Sequence, residues 1–348
     1  MQTTEILQAV QQAREPGAEP TGQHGWQVQR VRLGMNNALY QVQRDRQAYA
    51  VKLCVDDERR RAQREYGALC LLDDAGLEVA PQPLGLDEST TIVPYPAVVY
   101  RWLPGQPLSQ ATLAQEASGS RTLSQAQVAA LLESLQHLHG VAYQEPAGLS
   151  EAWFHWFELQ PYLAELDGFL AQYRPWLYEE TETGKQICAR LERLVAACKQ
   201  VAARSPAAID RASVPLRLCH VDPNPANAIW DEGGQVRWVD WEYSGWGDPA
   251  LELAEFRWHP ELACLSAQQT AWMRDHYQPP PEDSGFEQRL ALWDALLAAR
   301  WPFLLLRWLW SVHNGPDRVR LSMQEVRAAE LRRRLAALIQ RAEIFYKL

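Results

Sequence analysis

A single change of hydrophobic period constrains this 348-residue chain more than any other feature. From residue 26 to 55 side chains alternate, with Val28, Arg30 and Arg32 opposite Gln27, Gln29 and Val31. Period-two patterning means half-buried strands. The spacing predicts strands over 38–44 and 46–55, a helix over 56–73, and further strands near 83–86 and 91–100. Arg101-Trp102-Leu103-Pro104-Gly105 then breaks the pattern. Beyond it the period is helical. Leu123 to Gly140 carries apolar residues at 128, 131, 132, 135 and 138, and spans 152–170, 185–203, 248–256, 287–312 and 324–346 read likewise. The clearest β signal in that half flanks Asp231-Glu232-Gly233-Gly234. The expected fold class is α+β, with a small β-rich N-terminal lobe and a larger, mainly helical C-terminal lobe. An amphipathic helix and connector occupy 1–20, the first lobe 21–99, a linking segment 100–106 and the second lobe 107–348.

Bulk properties exclude several classes. A net charge of −9 argues against nucleic acid, which needs a basic face, and suits a cationic small molecule. The longest apolar run, 301–310, contains Arg307 and is too short to span a bilayer, and the first 14 residues lack a signal-peptide core. Six cysteines are scattered with no C-x-x-C pair, the usage of a reducing compartment. A cytoplasmic protein is expected.

Chemistry concentrates in Cys219-His220-Val221-Asp222-Pro223-Asn224-Pro225-Ala226-Asn227, followed across a hairpin by Val239-Asp240-Trp241-Glu242. An Asp, an Asn five residues on and an Asp at the end of the next strand point to phosphoryl transfer. Asp222 is the candidate base or orienter of an acceptor hydroxyl. Asn227 and Asp240 are candidate ligands for magnesium, a hard cation that takes oxygen donors. His220 is read as scaffold for this loop, and Asp248 as the N-cap of the helix that Pro249 opens. A metal hydrolase built on His220 and Asp222 is disfavoured, because no second His lies at ligand spacing.

Lys52 sits on an apolar strand in a chain with only four Lys among 34 cationic residues, so a compact ammonium is expected to reach phosphates there. Glu65, thirteen residues on, would hold it, or else pair with Arg61 and Arg64 on a surface helix. Backbone amides of Gly34, Asn36 and Asn37, in the turn between the first two strands, are candidates to cradle phosphate. Aromatic residues crowd the second half: Trp153, Phe154, Trp156, Phe157, Trp293, Trp301, Phe303, Trp308 and Trp310. They are core, or in part the walls of a pocket for a cation. Arg327, Arg332, Arg333, Arg334 and Arg341 read as a solvated basic face.

These residues resemble the aminoglycoside phosphotransferase and choline kinase superfamily, the small-molecule relatives of protein kinases. The resemblance covers nearly the whole chain. It rests on the segments quoted above, on Gly247-Asp248-Pro249-Ala250-Leu251-Glu252-Leu253-Ala254, and on Arg64-Glu65-Tyr66, 100–105 and 135–140 in support. Asp240-Trp241-Glu242-Tyr243-Ser244-Gly245 is more similar to bacterial choline and thiamine kinase-like members than to resistance enzymes. The resemblance implies a two-lobed protein-kinase-like fold, ATP and Mg2+ in the cleft, and transfer of the terminal phosphoryl group to a small-molecule hydroxyl. It implies Tyr100 and Trp102 along the adenine, with Lys52 and Glu65 serving the phosphates. Val221 stands where Gly or Asn is common, Glu252 where many members have Asp, and Arg101 where a Glu is common. An aminoglycoside acceptor, or a non-catalytic nucleotide-binding regulatory module, are the alternatives.

Overall fold

The computed structural model describes residues 3–14, 25–31, 37–110, 122–143, 148–154, 157–180, 182–204, 211–315 and 328–348. Helix α1 (Thr3–Arg14) precedes strands β1 (Gln27–Val31), β2 (Ala38–Arg44) and β3 (Gln47–Leu53), helix α2 (Arg61–Asp74), and strands β4 (Pro83–Asp87) and β5 (Ala97–Arg101). The five strands form one antiparallel sheet, ordered β1-β2-β3-β5-β4. Strand pleating separates its faces. Tyr49, Val51, Leu53, Ala97 and Val99 pack with Ile6, Leu7, Ala9 and Val10 of α1. Ala50, Cys54, Val98 and Tyr100 join the core of the helical body. Lys52 has the parity of Ala50, so it belongs to this second face.

Two boundaries of this lobe differ from expectation. The strand expected from residue 91 starts at Ala97, after Pro94 and Pro96, which carry no ladder N–H. The helix expected from residue 56 starts at Arg61. Before it Arg60 adopts φ 51°, and Asp57 accepts from the Arg59 N–H and the Arg61 guanidinium.

The helical body contains β6 (Gln106–Pro107), α3 (Gln125–His139), α4 (Leu159–Glu180), α5 (Glu182–Arg204), β7 (Arg217–Cys219), β8 (Ala228–Trp230), β9 (Val236–Trp238), β10 (Gly245–Gly247), α6 (Pro249–Trp258), α7 (Ala267–His276), α8 (Phe286–Asn314) and α9 (Ala328–Tyr346). Helix α8 is buried nearly all round, packing on α4, α5, α6 and α9. The helix expected at 152–170 is displaced to α4. That start suits Pro161, whose missing N–H costs no helical bond in a first turn, although a second proline, Pro175, lies inside the same helix. Helix α7 was not anticipated, although Ser266 and Gln269 form a capping box at its start. Strands β6, β7 and β10, two or three residues each, have no readable period. Arg327 and the first residues of the span expected at 324–346 lie outside the described residues. No described helix is long and apolar enough to cross a membrane. All six cysteines are unpaired.

Candidate active site

A cleft of about 1210 Å³ runs between the sheet and the helical body. The loop after β7 and the β8–β9 hairpin build its floor. The hairpin closes on Asp231, which accepts from the Gln235 N–H at 2.9 Å, with Gly234 at φ 77°. Val239 N–H then donates to the Asn227 carbonyl at 2.9 Å, which brings Asp240 back beside the loop. Asn227 Nδ2 donates to Asp222 Oδ2 at 3.0 Å. That bond orients the amide and turns Asn227 Oδ1 away from Asp222.

Lys52 Nζ donates to Glu65 Oε2 and, at 2.5 Å, to Asp240 Oδ1. Burial disfavours the ammonium, but Asp240 and Glu65 outweigh it and hold Lys52 well above its ordinary range. Burial likewise opposes the charge on Asp240, and Lys52 overrides it, so this carboxyl sits below the usual range. Among the described residues no donor reaches Asp240 Oδ2, and Glu65 Oε1 is buried without a partner. Glu65 is therefore no surface residue. Arg61 and Arg64, read as its ion-pair partners, are buried on the same helix face and reach elsewhere. Arg61 meets Glu242 at 2.5 Å, and Arg64 donates to the carbonyls of Glu151 and Ser244 at 2.6 and 2.7 Å.

His220 Nε2 donates to the Val239 carbonyl at 2.9 Å, and its Nδ1 accepts from the Asp222 N–H at 3.3 Å. Both ring nitrogens are spent on backbone, and burial holds the ring's pKa down. Glu252 lies beneath. It accepts from the N–H groups of His220 at 3.0 Å and Val221 at 2.7 Å, and from His139 Nε2 at 2.8 Å. His139 Nδ1 accepts from the Tyr277 hydroxyl at 2.8 Å. Val221 has φ 72°, a conformation costly for a β-branched residue, and Asp240 has φ 67°. A Gly or Asn at 221 would relieve the strain, while the longer Glu252 side chain still bonds both amides.

Asp222 is pushed up to about 8 by burial and by the negative charges of Asp240 and Glu242. The other expected site residues lie as follows. Gly34 and Asn36 fall outside the described residues. Asn37 accepts from the Val55 N–H at 3.1 Å and donates to Glu242 at 2.6 Å, so its side chain ties β2 to the segment after Asp240. Tyr100 lines the cleft from β5 with 4% of its surface exposed, and Trp102 lines it with more. Asp248 caps α6 through the Ala250 N–H at 3.0 Å. It also accepts from Arg289 at 2.9 Å and from the Trp293 indole at 2.8 Å.

Beyond Asp222 the cleft is walled by Phe154 and Trp301, two of the aromatic residues read as possible pocket walls, and by Glu255, His259 and Arg300, which sequence reasoning missed. Trp301 donates to Glu255 at 2.5 Å, and Arg300 pairs with Glu165 at 2.6 Å. Several aromatic faces already carry the protein's own guanidinium groups. Arg59 lies over Trp153, Phe154 and Tyr243, and Arg300 lies 4.7 Å from the Phe154 centroid. Trp293 and Phe303 are core, and Trp156 lies outside the described residues. Of the basic face, Arg334 instead lines the cleft and pairs with Glu261 and Glu330, and Arg341 stacks over Trp258. His259 carried no signal in sequence, since a lone His before a Pro marks only a helix end.

Sheet, cleft and helical body make the two-lobed, kinase-like architecture. Residues 27–279 match the phosphotransferase enzyme family, and the chain belongs to that family: it is a small-molecule phosphotransferase. Among solved structures it is similar to a spectinomycin phosphotransferase in complex with ADP and spectinomycin, at TM-score 0.69 and 11% identity, covering 100% of this chain and 99% of that one. It is also similar to a thermostable mutant of the aminoglycoside phosphotransferase APH(4)-Ia, in a ternary complex with AMP-PNP and hygromycin B. There the TM-score is 0.56 and the identity 16%, over 97% and 98% of the two chains. A Ralstonia eutropha protein, provisionally called an aminoglycoside phosphotransferase, aligns at TM-score 0.63 and 17% identity over 99% and 98%. No curated protein matches by sequence.

Proposed function

We propose that this enzyme moves the terminal phosphoryl group of ATP, with magnesium, to a hydroxyl of a small molecule. The observation that carries this reading is Lys52 joined to both Glu65 and Asp240, with Asp222 and Asn227 on the adjoining loop. In this reading 21–99 is the nucleotide lobe, 100–106 the link beside the adenine at Tyr100 and Trp102, and 107–348 the catalytic and acceptor lobe. The shallow exposure of Tyr100 leaves Trp102 the larger contact. The unpaired cysteines suit the cytoplasm.

Asn227 Oδ1 and Asp240 Oδ2 are oxygen donors suited to Mg2+. When bound, the ion supplies neutralisation of charge on the phosphates. Lys52 adds a fixed cation for the phosphates, locked by two carboxylates so that little reorganisation accompanies transfer. In its ionised form Asp222 accepts a hydrogen bond from the acceptor hydroxyl. A cation held at Asp240 would favour that form by offsetting one of the charges that, with burial, push Asp222 up to about 8. As the acceptor oxygen bonds to the terminal phosphorus, the bond from phosphorus to the bridging oxygen breaks, ADP departs, and the hydroxyl proton passes to Asp222.

The acceptor in this reading is a small amino alcohol of choline or thiamine type, held by Trp301 and Trp308 with nearby acids. An aminoglycoside is the second reading. It is favoured by Glu255, Glu261 and Glu330 along the acceptor end, and by Phe154 and Tyr243 being covered by arginines and so closed to a quaternary ammonium. An ADP-release screen over choline, ethanolamine, thiamine, homoserine, sugars and aminoglycosides decides between them. The Asp222→Asn variant should lose turnover while binding Mg-ATP normally, and Asp240→Ala should weaken nucleotide binding. Full activity in Asp222→Asn would sink the assignment. ATP binding without transfer to any acceptor or to water would favour a regulatory module.

A further inference from the structure

His259 closes α6 and opens the short 3-10 turn Pro260–Cys264, at the wall of the cleft beside Asp222. Its Nδ1 accepts the Glu261 backbone N–H at 3.3 Å, capping that turn. A ring nitrogen that accepts an N–H carries no proton, so in the neutral imidazole the proton is on Nε2. The ring is neutral, because burial, aided by the positive charge of Arg334, holds its pKa down at about 3. It is also held in place: Trp301 packs against it at 4.5 Å between centroids and 75° between planes, and Glu255 anchors that indole.

Nε2 lies 3.5 Å from Asp222 Oδ1. This is long for a direct N–H···O bond. It is the right base for a triangle whose apex is a third polar atom about 2.8 Å from each end. Asp222 Oδ2 is already taken by Asn227.

We propose that His259 is the second contact to the phosphoryl acceptor: its Nε2–H donates to the acceptor hydroxyl oxygen while that hydroxyl's proton faces Asp222 Oδ1. The inference rests on the reading of Asp222 given above. Two hydrogen bonds fix the rotation of the hydroxyl and leave one lone pair for phosphorus. The attacking atom must then both donate and accept, as an alcohol or water does. An ammonium has no lone pair to accept with, so on an amino alcohol the site selects the oxygen.

Two variants separate this role from capping. His259→Asn keeps an oxygen near Nδ1 for the Glu261 N–H and removes the Nε2 donor, whereas His259→Gln places an amide donor near Nε2. Water is the acceptor probe, read as ADP release from Mg-ATP by the full chain, beside a crystal structure with Mg-AMP-PNP. His259→Asn should slow hydrolysis about tenfold, the loss of one hydrogen bond in the transition state, with the KM for ATP and the melting temperature unchanged. His259→Gln should recover part of the rate, and the crystal structure should show one ordered oxygen bonded to both Asp222 Oδ1 and His259 Nε2. An unchanged rate in His259→Asn, a loss matched by a raised KM for ATP, or a direct Asp222–His259 bond with no shared oxygen overturns the proposal. If Asp222→Asn keeps full hydrolysis in the same assay, the parent reading fails; if it loses hydrolysis while His259→Asn does not, only the role of His259 fails.

Discussion

The ammonium of Lys52 on β3 lies 2.5 Å from Oδ1 of Asp240, 188 residues further along the chain. The bond crosses from the sheet to the helical body, and Glu65 on α2 completes it from behind. Lys52 thus holds together two carboxylates that would otherwise repel at close range.

Replacing Lys52 by Met should therefore damage both stability and turnover. Breaking a buried ion pair by removing one partner costs about 3–5 kcal/mol. Adding Glu65→Gln to Lys52→Met should recover part of the melting temperature by removing one stranded charge, but none of the ADP-release activity. Activity returning along with stability would show that Lys52 serves only the fold.

Val221 at φ 72° carries strain that asparagine tolerates better. Its backbone N–H bond to Glu252 does not depend on the side chain. Val221→Asn should gain about 1 kcal/mol of unfolding free energy, read from chemical denaturation. No gain would mean that contacts of the valine methyls offset the strain.

Glu255 is pushed up to about 7 by burial, against an ordinary 4.5, even with Arg300 nearby. The folded state then binds a proton more tightly than the unfolded one, so this group costs stability as pH rises from the ordinary value through about 7. The loss is at most about 3 kcal/mol. Glu255→Gln is neutral at every pH and retains an oxygen for Trp301. It should melt above the parent near pH 8 and show no advantage near pH 4. A melting difference independent of pH would contradict the buried, proton-binding carboxyl.

Asp248 serves the α6 backbone, Arg289 and Trp293 at once, and none of its surface is exposed. Asp248→Ala should cost about 3 kcal/mol or more, by stranding an indole N–H and half of a buried guanidinium fork. Asp248→Asn, which keeps the cap, should fall between. Urea unfolding midpoints measure both, and equal losses would imply that charge alone matters.

Much of the site was legible because its residues act through local order. Strand parity put Lys52 on one face with Ala50, and a hairpin signal at Asp231–Gly234 returned Asp240 towards Asn227. Helix α2 was harder to read. Its buried residues Arg61, Ala62, Arg64, Glu65, Ala68, Leu69 and Leu72 follow helical spacing, but three of the seven are charged, so the inward stripe looks like a surface. The partners that justify burying them, Glu242, Ser244 and Lys52, lie on other elements. The aromatic residues were misleading in the opposite sense. A pocket for a ligand cation was conceivable from their number, but Arg59 and Arg300 occupy several of the faces.

From sequence alone came the α+β class, the order of the two lobes, the phosphotransferase resemblance and the segment around Asp222, because periodicity, turn chemistry and motif spacing are properties of neighbours in the chain. Tertiary structure decided which carboxylates Lys52 binds, that both nitrogens of His220 are consumed by backbone, and that His259 stands 3.5 Å from Asp222. Those outcomes depend on contacts between residues tens to hundreds of positions apart. Burial and the closeness of opposite charges, which set the protonation of each group, exist only once the sheet has closed over the helical body.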